Sequence, residues 1–371
     1  MSSPGRRRRL IAAVAALAGS ALALPSPAAA QQQDPQAPVR QYPNLRLSGF
    51  GDVNFERTTR DDDGENFNLG QLALHMISEL SPRVTFFGEI SFSARPDAGT
   101  GSPSAPGFNV EVERMILRFD QSDRLKVSVG RYHTPVNYWN TAFHHGQWLQ
   151  TTITRPEMIR FGSQFLPVHF VGALVEGAVP AGGWNLNYKG GIGNGRASVV
   201  SRAGDPGDSN DSLAWLGNVF VKPDRIYGLE FGASAYVDDV TLGGVSGSFD
   251  EQIVSGYVVW HKETPEVIAE VAGVRHDDPA TATATWSTAW YAQVAYRLPG
   301  DAWKPYFRFE HVGVDADDRV LAAVPDLDMA TLGLRFDVST FAALKGEYRT
   351  WRRTPTGPRE HGGFTQLSFT F

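Results

Sequence analysis

The last ten residues, "GGFTQLSFTF" (Gly362–Phe371), form one alternating segment. Thr365, Leu367, Phe369 and Phe371 fall on one face of a strand, and Phe364, Gln366, Ser368 and Thr370 fall on the other. The fold depends on what covers the face that holds Leu367 and the two phenylalanines. It is either a second sheet or something outside the protein.

The same period of two recurs along the chain. "LRLSGFGDVNFE" (45–56) sets Leu45, Leu47, Val53 and Phe55 against Arg46, Ser48, Asp52 and Asn54. "RVTFFGEISFSAR" (83–95), "YGLEFGASAYVD" (227–238), "WSTAWYAQVAYRL" (286–298), "TLGLRFDV" (331–338) and "ALKGEYR" (343–349) repeat the pattern. Period two means strands. One apolar face per strand also suits a soluble sandwich. The connections separate the two readings, because they alternate short and long. "SP" (81–82), "QSD" (121–123), "PAGG" (180–183), "PDR" (223–225), "PGDA" (299–302) and "VST" (338–340) are short. Residues 57–66, 96–107, 195–211, 315–325 and 352–360 are long. A sandwich gives no reason for such alternation, whereas a membrane barrel puts short turns on one side and long loops on the other.

The expectation is an all-β fold, a transmembrane antiparallel β-barrel of about sixteen strands with short periplasmic turns and long external loops. The stretch from about Ile253 to Lys262 alternates poorly, which leaves fourteen or eighteen strands open. In lipid every backbone N–H and C=O needs a partner, and only a closed barrel supplies one with strands. Trp184, Trp286, Trp303, Tyr348 and Phe371 suit an aromatic girdle, and about sixteen strands leave a water-filled lumen.

The N-terminus reads as a secretory signal over residues 1–30. Arg6–Arg9 precede the apolar run "LIAAVAALAGSALAL", and Ala28–Ala30 provide a small-residue cleavage site. The run is short for a spanning helix. Residues 31–44 are a polar, flexible lead, and 45–371 form the barrel domain. The chain has no cysteine, which excludes disulfides, lipid attachment at the cleavage site and thiolate chemistry. Without the four signal arginines, 30 basic residues face 40 acidic ones, a net charge of −10, so nucleic acid is not an expected partner.

Ending on an aromatic after such a strand resembles the C-terminal strand of bacterial outer-membrane barrels. "GRYHTPVNYWNTAFHHGQWLQTTITRPEMIRFGSQFLPVHFVG" (130–172) and "YKGGIGNGR" (188–196) are similar to bacterial porins related to the phosphate-selective porin family. The resemblance implies an outer-membrane porin, a homotrimer, and a third external loop, here about His133–Leu166, folded into the lumen. The expected partners are outer-membrane lipid, lipopolysaccharide and small hydrophilic solutes. The function implied is passive diffusion through a water-filled channel. An anion- or phosphate-selective porin is one alternative, and a non-channel barrel such as an outer-membrane enzyme is another.

Within the loop, His133, Tyr138, Trp139, His144, His145, Arg155, Glu157 and Arg160 are the candidate constriction residues. Tyr138, Trp139, Phe143 and Trp148 are read as wedges against the wall, with a sugar slide as the other possibility. Arg155, Glu157 and Arg160 can face the narrow point or pair with one another. Arg83, Glu89, Arg95, Arg114, Arg118, Arg308, Glu310, Arg335, Asp337, Lys345, Glu347 and Arg349 are the expected pore lining. Acids share faces with the arginines, and there are only six lysines. A desolvated phosphate needs several uncompensated donors, so a general or weakly selective pore is the reading preferred over a phosphate-specific one.

His133, His144, His145 and His169 invite a metal. However, no H-x-x-x-H or H-E-x-x-H spacing puts two imidazoles on one helix face, and neighbours in a strand or helix point apart. No metal or cofactor is therefore expected. There is also no G-x-S-x-G, and "GGIGNG" lacks the dinucleotide-binding spacing, so no catalytic residues are assigned. The acidic runs Asp61–Asp63, "DPGDSND" and Asp315–Asp318 could hold divalent cations beside lipopolysaccharide, but solvated loop tips explain them more simply.

Overall fold

A computed structural model of the chain describes residues 41–59, 66–94, 107–162, 164–354 and 356–371. The signal segment and most of the lead lie outside them, as do Arg95 and Asp61–Asp63. The strands are β1 (Asn44–Thr58), β2 (Asn66–Ser81), β3 (Val84–Ala94), β4 (Phe108–Ser122), β5 (Leu125–His133), β6 (His169–Val179), β7 (Leu186–Asn194) and β8 (Ala214–Val221). They continue as β9 (Leu229–Val240), β10 (Phe249–Trp260), β11 (Glu266–Asp277), β12 (Ala284–Ala295), β13 (Trp303–Gly313), β14 (Leu327–Ser339), β15 (Ala342–Arg352) and β16 (Glu360–Thr370). One short helix, α1 (Tyr138–Ala142), sits in the connection between β5 and β6.

Each strand pairs antiparallel with its neighbours in the chain, and β1 pairs with β16 to close a sixteen-strand barrel. Closure leaves no strand edge to be satisfied by lipid. The C-terminal segment makes the seam. Gly51 pairs with Phe369, and the Phe371 N–H donates to the Gly49 carbonyl at 3.0 Å. The rings of Phe371 and Phe369 lie over Gly49 and Gly51, where an added Cβ would fall 2.3 and 2.6 Å from them. Those two positions must be glycine for the aromatic ends of the last strand to lie flat on the outer wall.

The two faces of the wall separate as period two requires. Leu117, Val129, Val271, Phe307, Leu332, Leu344 and Leu367 are exposed on the outside. Trp184, Trp303 and Phe371 mark the short-turn end of this apolar band, and Trp286 and Tyr348 mark the long-loop end; all five are exposed. Inward positions carry Glu89, Arg308, Lys345, Glu347 and Gln366, all buried.

β10, whose pattern blurred the strand count, is a full strand paired on both sides. Its inward residues Ile253, Tyr257 and Val259 are apolar because the β5–β6 loop packs on them. From Ile253 onward both of its faces are therefore mostly apolar, Ser255 being the exception, and the polar half of the alternation fades there. Elsewhere the wall bends at β4. Glu89 pairs with Arg114 and Ile90 with Val112, so Glu113 is an extra residue in a bulge. A bulge turns a side chain that would otherwise face outward. Here it puts Glu113 and Arg114 together in the lumen.

Candidate functional site

Residues 134–168, between β5 and β6, cross the inside of the barrel. α1 starts the crossing. Asn137 caps it, its side chain accepting from the Asn140 N–H at 3.3 Å. The Glu270 carboxylate on β11 accepts from the Tyr138 and Trp139 N–H groups at 2.7 and 3.0 Å. Orphan N–H groups at a helix start need such acceptors. Trp139 is 0 % exposed, edge-on to Tyr291, and Tyr138 packs on Tyr257 with ring centroids 5.5 Å apart. Burial, with Glu230, Glu266 and Glu270 nearby, pushes the Tyr138 phenol well above its usual range. Both aromatic side chains pack against the barrel wall, and Met158, Ile159, Phe165 and Leu166 complete the same apolar cluster.

Past α1 the loop meets a different wall. Arg308 on β13 donates to Glu310 at 2.7 Å and reaches the loop at Thr152 Oγ1 (3.1 Å), Thr154 O (2.8 Å) and Thr154 Oγ1 (3.2 Å). Arg335 on β14 donates to Asp337 at 2.8 Å and to the carbonyls of Trp148 and Gln150 at 2.8 and 2.9 Å. Lys345 on β15 reaches the carbonyls of Gln147 and Thr152. Glu347 accepts from the Ile153 N–H at 2.7 Å, and Glu310 accepts from the Glu157 N–H at 2.6 Å. Arg349 pairs with Glu347. The inward charges of β13–β15 thus hold the loop down, each cation beside a carboxylate two residues away or across the strand.

Arg114 is paired with Glu89 at 2.5 Å, and Arg118 with Asp120 at 2.7 Å. Arg83 departs from its expected place: it sits exposed in the two-residue turn between β2 and β3, because the strand ends at Ser81. In the loop, Arg160 is 53 % exposed and pairs with Glu157 at 3.4 Å. Arg155 is buried instead. Its guanidinium lies 3.9 Å from the Phe161 centroid and donates to the His144 carbonyl and to Asn140 Oδ1 at 2.9 Å each.

On the short-turn side of α1 three polar cavities adjoin one another. One of about 180 Å³ is lined by Arg118, Glu176 and Lys189. The next, about 310 Å³, shares Lys189 and adds Lys222, Glu230 and His261. The third, about 260 Å³, shares His261 and adds Glu263, Arg297 and Lys304. Glu263 is held below the usual carboxylate range: partial burial raises it, but Lys304 and Arg297 outweigh that. Sequence reasoning missed this arc. Three of the six lysines lie in it, clustered at the inner ends of strands near short turns.

The histidines behave differently from the sequence expectation. His144 and His145 follow α1 in neither helix nor strand. Their rings lie 4.5 Å apart and do not point away from each other. His133 and His169, at the facing ends of β5 and β6, and His75 from β2 join them around Glu89 and Glu113. Glu113, His75, Gln71 and Asn140 were not singled out from the sequence. The signal for Glu113 was available: in "VEVERMIL" two charged residues stand side by side where a regular strand would alternate.

No model of a known protein family matches the chain, and no curated protein matches it in sequence. Solved structures do resemble it. The anion-selective porin from Comamonas acidovorans superposes with a TM-score of 0.63 at 14% identity, over 88% of this chain and 99% of that one. Salmonella typhi OmpF, in complex with daunomycin, gives 0.60 at 11% identity over 89% and 98%. The outer membrane channel DcaP of Acinetobacter baumannii gives 0.57 at 12% identity over 88% and 97%. At these identities the likeness is one of fold: the chain is a sixteen-strand barrel of the porin type.

Proposed function

We propose that the protein is a bacterial outer-membrane channel through which small hydrophilic solutes and ions diffuse passively, with weak ion selectivity. The observation that carries this reading is the combination of a lipid-type outer surface with a charged lumen narrowed by a folded-in loop. A non-channel barrel has no need of a polar arc of adjoining cavities beneath such a loop. No catalytic role is assigned to any residue. The likeness to solved barrels named as porins and channels supports the same reading. A trimeric form of one neighbour, Vibrio cholerae OmpT, supports a homotrimer held in outer-membrane lipid and lipopolysaccharide.

Weak selectivity follows from charge pairing. Arg308, Arg335 and Arg349 are each bonded to a carboxylate, and the first two also to loop carbonyls. Few donors are left uncompensated for a desolvated phosphate. Mixed walls instead create a transverse field that passes small polar solutes.

The experiment is planar-bilayer recording of the purified protein, followed by the reversal potential in a salt gradient. Stable single-channel steps with a small reversal potential are expected. Insertion without conduction would overturn the channel reading. Strong anion selectivity with phosphate block of chloride current would replace weak selectivity with phosphate selectivity.

A further inference from the structure

Five of the nine histidines of the chain meet inside one barrel, brought there by four separate pieces of backbone. Chance placement of lumen polar residues does not explain the geometry. Glu113 Oε2 is 2.8 Å from His169 Nε2 and 3.8 Å from His144 Nε2, and the two imidazole nitrogens are 3.0 Å apart. Ligands about 2.0–2.1 Å from a tetrahedral zinc ion stand about 3.3 Å from one another, close to the 3.2 Å mean edge of this triangle. His145 Nε2 lies 3.2 Å from the other oxygen of Glu113.

The protonation pattern is set by the shell behind these groups. Asn140 Nδ2 donates to the carbonyls of Thr134 and Val168 at 3.0 and 2.8 Å, which fixes the amide with Oδ1 toward His144. His144 Nδ1–H therefore donates to Asn140 Oδ1 at 2.8 Å, leaving the Nε2 lone pair facing Glu113 and His169. His145 Nδ1 is likewise engaged by Gln71 Oε1. Its side chain is 0 % exposed, and its Nε2 has no aligned hydrogen-bond partner among the described residues; the same holds for His133 Nε2. Imidazole lone pairs turned toward a carboxylate in a buried site repel unless a proton or a metal ion lies between them. A ring nitrogen bonded on its Nδ1 side and free on its Nε2 side is the arrangement of a metal-ligating histidine.

The backbone also departs from regularity at this place. Glu113 faces inward because it is the extra residue of the β4 bulge. Ser91 Oγ donates to its Oε1 at 2.7 Å, and the Arg131 guanidinium donates to its backbone carbonyl at 2.8 Å. Of the nearby cations, Arg114 is paired with Glu89 at 2.5 Å, and Arg131 is paired with Asp205 at 2.7 Å while its guanidinium also lies 3.5 Å from Glu113 Oε2.

We propose that Glu113, His144 and His169 bind a divalent transition-metal ion of the zinc type, with the fourth position left to water. Borderline nitrogen donors with one carboxylate favour such an ion over magnesium or calcium. One ligand comes from the loop and two from the wall, so the ion clasps the segment that follows α1 to β4 and β6. The proposal does not rest on the channel reading, because binding is read in detergent without any current.

The test uses the whole barrel in detergent, stripped with a chelator and titrated with Co²⁺ as the spectroscopic probe. One equivalent per chain is expected, with the intense visible d–d bands of tetrahedral coordination, displaced by Zn²⁺ and not by Mg²⁺. His144→Asn and His169→Asn should each weaken binding by more than about tenfold. His276→Asn, in a buried cluster elsewhere, should leave it unchanged. Barrel folding is checked by the mobility shift between heated and unheated samples. Should the loop variants fail to fold, X-ray absorption of the zinc-loaded wild-type chain decides, with imidazole scattering from two or more ligands expected. Absence of the tetrahedral bands, equal binding in the variants, or an all-oxygen shell would each overturn the proposal.

Discussion

The loop lies between two walls that hold it by different physics. Toward β9–β12 it meets Tyr236, Ile253, Tyr257, Val259, Ile268 and Tyr291, and buries Trp139 among them. Toward β13–β15 it meets Arg308, Arg335 and Lys345, whose donors reach its carbonyls. The apolar contact is non-directional and tolerates small shifts. The charged contact is directional, and every partner must stay in place, because a buried charge that loses its partner costs far more than the pair gains. The first wall anchors the start of the crossing, and the second sets the path of the narrow part.

Breaking the charged side should give the largest effect. Arg308→Ala leaves Glu310 buried without its 2.7 Å partner and frees several loop acceptors. A loss of about 3–5 kcal/mol is expected, read as a lower midpoint for loss of the compact barrel on unheated gels. A variant as stable as wild type would show that the charged wall does not hold the loop. On the apolar side, Trp139→Ala should cost about 3 kcal/mol, the lower end of the range for emptying a buried aromatic site, because the rings of Phe143 and Tyr291 can lean into the space. If Trp139→Ala cost clearly more than Arg308→Ala, the ranking of the two walls would reverse.

The smallest effect concerns pH. Glu263 lies in the β10–β11 turn of the first wall and is bonded to Arg297 and to Lys304 on β13 at 2.9 and 3.0 Å. Its carboxyl is held below its ordinary 4.5 when folded. The stability it adds is complete above that value and is lost as pH falls through the lower folded one. Glu263→Gln should therefore be slightly less stable than wild type at neutral pH and equal to it in strong acid. A difference independent of pH, measured by parallel melts, would remove the ion pairs from the account.

The barrel was legible in the sequence because lipid and water impose period two on every strand, and the turns impose the short–long alternation. The sixteen strands, the closing aromatic strand and the infolded loop follow from those rules with the porin resemblance. β10 was hard to read for the reason that makes the β9–β12 wall apolar: the loop replaces water on its inner face, so Ile253, Tyr257 and Val259 break the pattern. The histidine cluster was hidden for a different reason. Spacing rules detect ligands on one element, whereas His75, His133, His144 and His169 come from β2, β5, the loop and β6, and Glu113 reaches them only through a bulge. Arg83 was misplaced because one residue at a strand end decides between wall and turn.

The most direct test of the account is single-channel conductance of wild type against a variant lacking His144–Thr152, the stretch that spans the lumen from the histidine cluster to the Arg308 and Lys345 contacts. The folded variant should conduct more and admit larger solutes if the loop across the lumen is, as proposed, the narrow point. Unchanged conductance in a correctly folded barrel would contradict the account and make the loop something other than the constriction.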